Sequence, residues 1–227
     1  MSILKPYRFY PKESIERKAD EILWRMQSVG NFAPKWPLEP SLVADFLDLG
    51  VVWDKIEPDE GGAIAARILP TERLIEIDEG ILDKPEGFQE STIAHEIGHW
   101  VLHVNQDEAD GIVKQLELDL GNFAEEEKSQ EPFICRGPSG SKIESIEWQA
   151  QYFASCLLMP RQILQEKIKG KDLTKWSHLY KLKDELGVTI SNLTHRLQDL
   201  GLISIPKGSR KIYPGSAKQE EQKMLFG

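Results

Sequence analysis

The chain has 227 residues, which is enough to bury one large hydrophobic core. Hydrophobic residues make up 40% and charged residues 29%, and no apolar run approaches the roughly 18 residues of a membrane span. The two cysteines, Cys135 and Cys156, lie far apart, which argues against a disulfide framework and a cysteine zinc site. The first ten residues carry charges and prolines instead of a signal peptide's apolar stretch, so we expect a cytoplasmic protein.

The formal charge of −9 is unevenly distributed along the chain. Residues 107–131 contain nine acidic and two basic residues, whereas residues 161–227 contain thirteen basic and seven acidic residues. We expect the acidic stretch to be a solvated excursion over one face of the protein. The basic C-terminal part is a reason to consider nucleic acid as a partner, although mildly basic tails are common.

The N-terminal part is predicted to contain two helices and a sheet. Apolar residues at helical spacing predict a helix over residues 14–28, three prolines then form a connector, and residues 41–49 predict a short helix that Gly50 ends. Residues 51–53, 63–69 and 74–77 are short segments rich in branched apolar residues and separated by glycine or proline. These segments predict a small antiparallel sheet.

Residues 95–99 read His-Glu-Ile-Gly-His inside an apolar-periodic run that predicts a helix over residues 89–103. Residues four apart share one face of a helix, so His95 and His99 can offer two imidazole nitrogens to a single metal ion. Glu96 lies beside them, where it can take a proton from a water molecule. An amphipathic helix with two half-buried histidines would show the same pattern, so a third ligand has to decide between these interpretations.

Two other residues of this helix are informative. Gly98 costs roughly 1 kcal/mol relative to alanine in a helix interior, which indicates that another part of the chain approaches closely there. His103 lies about one turn beyond His99, and we expect it to support a ligand or to pack in the core.

A second helix is predicted over residues 143–159, because its apolar residues fall at helical spacing and Pro160 ends it. Residues 132–135 predict one more strand before it. Glu144 and Glu147 are three residues apart and share a face of the second helix. Carboxylates on an otherwise apolar helix are costly to bury unless they bind a cation, so either one is a candidate for the third metal ligand.

The two helices together resemble the ImmA/IrrE family of metallopeptidases. The segments HEIGHWVLH (95–103) and EWQAQYFASCLLMP (147–160) are similar to that family's HExxH helix and to its second helix, E-x-x-A-N-x-F-A-x-x-L-L-M-P. The resemblance covers residues 40 to 205, and it departs from the family pattern at Gln151, where the family often has asparagine. It implies a Zn²⁺ ion held by His95, His99 and Glu147, although the same ligands accept other divalent ions.

The resemblance also implies a fold and a function. The expected fold is α+β and zincin-like, with the small antiparallel sheet packed on the HExxH helix and a second ligand helix, followed by a helix-turn-helix-like segment. The implied activity is that of a zinc endopeptidase with Glu96 as general base, which cleaves a helix-turn-helix transcriptional repressor on a mobile element or in a stress response. His103, Glu144, Tyr152 and Arg136 are candidates for supporting a ligand or stabilising the oxyanion.

The alternative function is a DNA-binding or anti-repressor regulator in which the metal site is structural or vestigial. Glu96 favours the peptidase, because a structural site needs no base beside its ligands. Residues 171–203 predict two helices joined by a glycine turn, and residues 203–205 and 211–213 a small wing. Few basic residues beyond Arg196 lie on the second of these helices, so we expect it to pack against the protein body and not to contact DNA.

The expected domain organisation follows from these elements. Residues 1–38 are assigned to an N-terminal helix and connector, and residues 39–160 to a zinc metallopeptidase core with an acidic insertion at 107–142. Residues 161–213 are assigned to the helix-turn-helix-like segment, and residues 214–227 to a disordered tail.

Overall fold

A computed structural model describes residues 3–60, 62–111, 133–135 and 141–215 of the chain, without the side chains of residues 133–135 and 141–144. Most of the predicted acidic insertion, the candidate Arg136 and the tail from residue 216 lie outside the described residues. So does the side chain of Glu144. In the parts that are described, none of the helices is both long and apolar enough to cross a membrane.

The secondary structure is mixed. The principal helices are α1 (Lys12–Gln27), α2 (Pro40–Phe46), α3 (Glu86–His103), α4 (Ser141–Leu158), α5 (Arg161–Lys167), α6 (Trp176–Leu186) and α7 (Ile190–Asp199). The strands are β1 (Gly50–Asp54), β2 (Ala66–Leu69), β3 (Leu74–Asp78), β4 (Phe133–Cys135), β5 (Ile203–Ser204) and β6 (Tyr213–Pro214), and short 3₁₀ turns occupy Gly30–Phe32 and Glu79–Ile81. The predicted α+β class is confirmed. Helix α5 was not predicted.

The larger sheet contains both parallel and antiparallel strand pairs, so the prediction of an antiparallel sheet was wrong for one pair. Its strand order is β1-β3-β2-β4, in which β3 pairs in parallel with β1 and antiparallel with β2, and β4 pairs antiparallel with β2. The hairpin of β2 and β3 inserts β3 next to β1, so strands that are consecutive in the sequence, β1 and β2, are not neighbours. Apolar alternation predicts that a segment is a strand, but it does not determine which strand lies beside it.

One face of this sheet packs against helix α3. Ile68, Ile75 and Ile77 are fully buried on that face, whereas Arg67 and Glu76 form a cross-strand ion pair on the other. The alternation follows from the two-residue repeat of a strand. Helix α3 contacts α2, β2, β3 and α4, so the candidate metal-binding helix lies at the centre of the fold.

The N-terminal strap, residues 3–10, crosses the C-terminal end of α3 and the side of α4. The backbone carbonyl of Ile3 accepts a hydrogen bond from Asn105 at 2.7 Å, and the backbone N–H of Lys5 donates to the carbonyl of His103 at 2.8 Å. The N–H of Tyr10 donates to Oε1 of Gln149 on α4 at 3.0 Å. The strap therefore joins the C-terminal end of α3 to α4.

Helices α6 and α7 form a tight helix pair that docks on α3. The turn between them contains Gly187 at φ 66°, a left-handed conformation that favours glycine. Thr189 caps α7 by accepting a hydrogen bond from the N–H of Asn192 at 3.2 Å. Nδ2 of Asn192 in turn donates to Oγ of Ser91 on α3 at 2.7 Å, which ties the helix pair to the central helix.

Arg196 of α7 is fully buried and binds groups from three other parts of the fold. Its Nε donates to the carbonyl of Met159 at 3.2 Å, and its Nη1 donates to the hydroxyl of Tyr152 at 3.3 Å. Its Nη2 pairs with Glu16 of α1, whose carboxylate also accepts a hydrogen bond from Arg161 at 2.9 Å. The one arginine of α7 therefore holds this helix against α1 and α4.

Replacing Glu16 with glutamine should destabilise the protein, because Arg196 would keep a buried charge without its counter-ion. We expect the free energy of unfolding at pH 7 to fall by roughly 3 kcal/mol. The measurement is urea denaturation followed by circular dichroism. Glu21→Gln, at an exposed position of the same helix, is the matched control and should change stability by less than about 0.5 kcal/mol.

The difference in stability between wild type and Glu16→Gln should depend on pH. Burial raises the pKa of Glu16, but hydrogen bonds from Arg161 and Arg196 outweigh burial and hold this pKa below its ordinary value of 4.5. A carboxyl whose pKa is lowered on folding stabilises the protein above its unfolded-state pKa and loses that effect as the pH falls through the folded-state pKa. The stability gap between wild type and Glu16→Gln should be constant from pH 7 to about 5.5 and close below about 4.5. A gap that persists unchanged at pH 3 would contradict this account.

Candidate metal site

Helices α3 and α4 cross at Gly98. A Cβ atom at this position would lie 2.9 Å from the carbonyl oxygen and 3.1 Å from the Cα of Ala150, and 3.2 Å from a ring carbon of Phe153. No residue larger than glycine fits there unless the helices separate, so the close approach that the sequence indicated is made by α4. The candidate ligands lie beside this crossing, with His95 and His99 on either side of Gly98 in the sequence and Glu147 one turn before Ala150.

Three donor side chains converge beside the crossing. Nε2 of His95 lies 2.9 Å from Nε2 of His99 and 3.1 Å from Oε2 of Glu147, and Nε2 of His99 lies 3.4 Å from Oε1 of Glu147. A tetrahedral ion with bonds of about 2.0–2.1 Å places its ligand atoms about 3.3 Å apart. Two imidazoles and a carboxylate are also a ligand set that zinc uses in hydrolases. The three residues could therefore hold one such ion.

Two of the three histidines of α3 are neutral at neutral pH. Burial lowers the pKa of His99 to about 4 and, together with the neighbouring His99, lowers the pKa of His103 to about 3. Burial also lowers the pKa of His95, but the hydrogen bond with Glu147 and the charges of Glu96 and Glu147 outweigh it and raise that pKa above 6.5. Metal binding requires a neutral imidazole, a form that burial favours in His99 and that the carboxylates beside His95 oppose.

The acidic members of the site differ in their environments. Burial raises the pKa of Glu147, but its hydrogen bonds with His95 and His99 outweigh burial and hold this pKa far below its ordinary value, so the residue is a carboxylate. Glu96 is completely buried on α3, and its negative charge acts on the ring of His95. An anionic ligand and a second carboxylate thus lie next to the same imidazole.

Gln151 also contacts the site. It lies one turn after Glu147, is exposed to solvent, and forms a side-chain hydrogen bond with His95. The sequence pattern marked this position only as a departure from asparagine. Its four-residue spacing from Glu147 is the signal that places it on the same face of α4.

The other four predicted site residues differ in where they lie relative to the three donors. His103 approaches His99, with their Nδ1 atoms 3.1 Å apart. The Tyr152 hydroxyl hydrogen-bonds with Arg196 on the side of α4 that faces α7, so its described contact is with the arginine and not with the three donors. The carboxylate of Glu144 and all of Arg136 lie outside the described residues.

Comparison with known protein families places the chain. Residues 82–198 match the IrrE N-terminal-like domain of the peptidase family M78. The match covers just over half of the chain and includes helices α3 and α4 with the three donor residues. The chain belongs to this family. The matched residues also include α6 and almost all of α7. The strap, α1 and strands β1 to β3 precede the matched residues.

A solved structure of a Mycobacterium tuberculosis transcriptional regulator is similar to this M78 family member. The match has a TM-score of 0.44 and 17% sequence identity, and it covers 82% of this chain and 46% of the regulator. The chain therefore spans less than half the length of that protein. This degree of similarity is too low to transfer the regulator's role. No curated protein matches the chain.

Replacing Gly98 with alanine should weaken metal binding although alanine favours helices by about 1 kcal/mol. The added methyl group meets the backbone of Ala150, which side-chain rotation cannot relieve, and such overpacking typically costs about 1–3 kcal/mol. Because the candidate ligands lie on both helices, a wider crossing would move Glu147 away from the histidines, and we expect about tenfold weaker zinc binding in chelator competition. Gly30→Ala, which adds a methyl group in open space, should leave the affinity unchanged. Equal affinity of Gly98→Ala and wild type would contradict the close crossing.

Proposed function

We propose that this M78 family member is a zinc-dependent endopeptidase that hydrolyses a peptide bond in a protein substrate. The observation that carries the proposal is the convergence of His95, His99 and Glu147 to within 3.4 Å of one another, with Glu96 buried next to them. Three protein donors leave a fourth tetrahedral position open, which is the arrangement of catalytic zinc sites, whereas structural sites have four protein ligands.

A zinc ion in this site would supply Lewis acidity, which lowers the pKa of water and polarises a peptide carbonyl. The protein residues supply the proton transfers. Glu96 would orient the attacking water, take its proton on a carboxylate oxygen as the water oxygen attacks the carbonyl carbon, and deliver that proton to the leaving amine nitrogen. The anionic Glu147 and the neutral His99 are already in the protonation states that a metal ligand needs.

For the substrate we propose a helix-turn-helix transcriptional repressor. Such repressors bind DNA with a basic surface, and this chain is acidic, with a formal charge of −9. Opposite net charges speed the association of the two proteins and make it weaker at high salt. If the neighbouring reading frame encodes a small helix-turn-helix protein, that protein is the first substrate to test, with cleavage followed by mass spectrometry.

The surface of α7 supports this proposal over direct reading of DNA. The exposed residues of α7 are Ser191, His195 and Asp199, and its one arginine is buried against α1 and α4. A helix that reads DNA presents basic and amide side chains to the groove. Sequence-specific, salt-sensitive DNA binding without cleavage of any repressor would instead favour the alternative function, a DNA-binding regulator.

The two candidate carboxylates of α4 can be separated by metal analysis. Each variant is loaded with one equivalent of zinc and then dialysed. We expect Glu147→Ala to lose the zinc, because this variant lacks one of the three ligands, and we expect Glu144→Ala to retain it. The measurement is zinc content by mass spectrometry, with circular dichroism to show that both variants are folded. Full occupancy in Glu147→Ala together with an empty Glu144→Ala would contradict the ligand assignment.

The role of Glu96 can be tested without disturbing the ligands. Glu96→Gln keeps the size of the side chain but cannot accept the proton, so we expect repressor cleavage to slow by a factor of about 100 or more. Zinc content should stay at the wild-type level. Glu86→Gln, at an exposed position of the same helix, is the control and should cleave normally. If Glu96→Gln cleaves as fast as wild type, Glu96 is not the base.

A further inference from the structure

A third histidine lies against the candidate metal ligand His99. The Nδ1 atoms of His99 and His103 are 3.1 Å apart, a distance at which one of them donates a hydrogen bond to the other. His99 has no exposed surface, and His103 is 8% exposed. The hydrogen bonding of the Nδ1 atom of His99 is thus decided by the protein around it and not by bulk water.

The direction of this hydrogen bond determines whether His99 can bind a metal ion. If His103 donates, Nδ1 of His99 is the acceptor, and the neutral ring of His99 carries its own proton on Nε2. That proton would point at His95 and Glu147 and block a metal ion. If His99 donates from Nδ1, its Nε2 carries a lone pair in place of a proton, and this lone pair points toward His95 and Glu147, where it could bind a metal ion.

We propose that His103 is a positioning residue that selects the metal-binding tautomer of His99 by accepting a hydrogen bond from its Nδ1–H group. The inference rests on the proposed function, because it takes His99 as a metal ligand. His103 then carries its own proton on Nε2. A neutral imidazole acceptor orients His99 without adding another negative charge to a site that already contains Glu96 and Glu147.

The surroundings of His103 fix its position. It is the last residue of α3, and its carbonyl oxygen accepts the hydrogen bond from the N–H of Lys5 in the strap. Leu4 and Tyr7 of the strap and Ile146 of α4 line a cavity of about 80 Å³ that His103 also lines. The N-terminal strap, which precedes the matched M78 domain, thus holds the partner of a metal ligand in place.

A matched pair of variants tests the hydrogen bond. In His103→Asn, Oδ1 can take the place of the Nδ1 acceptor, whereas His103→Leu puts a methyl group there. We expect zinc affinity at pH 7.5, measured by chelator competition, to fall 10- to 100-fold in His103→Leu and to stay within about threefold of wild type in His103→Asn. His195→Leu removes an exposed histidine and should have no effect. Thermal melts of the metal-free variants show whether each one is folded.

Nitrogen-15 NMR of the histidine rings in the zinc-loaded wild type provides a test that needs no variant. It should show the proton of His99 on Nδ1 and that of His103 on Nε2. A His103 proton on Nδ1, or zinc affinity of a folded His103→Leu equal to wild type, would overturn the inference. If wild type itself retains no zinc, the proposed function fails. If wild type retains zinc and His103→Leu binds it equally well, only the role of His103 fails.

Discussion

The close crossing of α3 and α4 at Gly98 is the constraint on which the rest of the molecule depends. Because Gly98 has no side chain, the backbone of α4 reaches the surface of α3 at Ala150. Glu147 on α4 can then reach two imidazoles on α3. The distances of 2.9, 3.1 and 3.4 Å between the two imidazoles and the carboxylate oxygens follow from this approach. A bulkier residue at position 98 would force the two helices apart and move Glu147 away from the histidines.

The elements around the two helices keep them in this arrangement. The N-terminal strap joins the end of α3 to α4, α7 is bound to α3 through Asn192 and Ser91, and Arg196 links α7 to α1 and α4. A buried ion pair such as Arg196–Glu16 adds little net stability compared with apolar residues, but it is strongly unfavourable when one partner is missing. The pair therefore penalises any packing of α7 that leaves Arg196 without Glu16, and so it specifies how α7 lies on the body.

The sequence predicted which residues come together at the candidate site better than it predicted the structure around them. The spacing of His95 and His99 and the cost of Gly98 are properties of one helix, so they can be read from local sequence alone. Residue spacing left Glu144 and Glu147 as alternatives, since both lie on one face of α4, and the resemblance to a family was needed to choose between them. The contact of His103 with His99 was open for a similar reason, because helical spacing gives proximity but not which ring atoms meet.

Features that depend on distant parts of the chain were not predictable in the same way. The parallel pairing of β1 with β3 depends on where the β2–β3 hairpin docks, which apolar alternation does not encode. Helical spacing places Arg196 on the same face as Leu193 and Leu200, but only its three-dimensional neighbours Glu16, Tyr152 and Met159 show why a charge is buried there.

The central claim is that one zinc ion is held by two imidazoles and one carboxylate, and zinc X-ray absorption spectroscopy of the metal-loaded protein tests it most directly. The account predicts one zinc per chain with two nitrogen ligands and the remaining ligands oxygen, all at about 2.0–2.2 Å. A sulfur ligand at about 2.3 Å, or a single imidazole in the coordination shell, would contradict it.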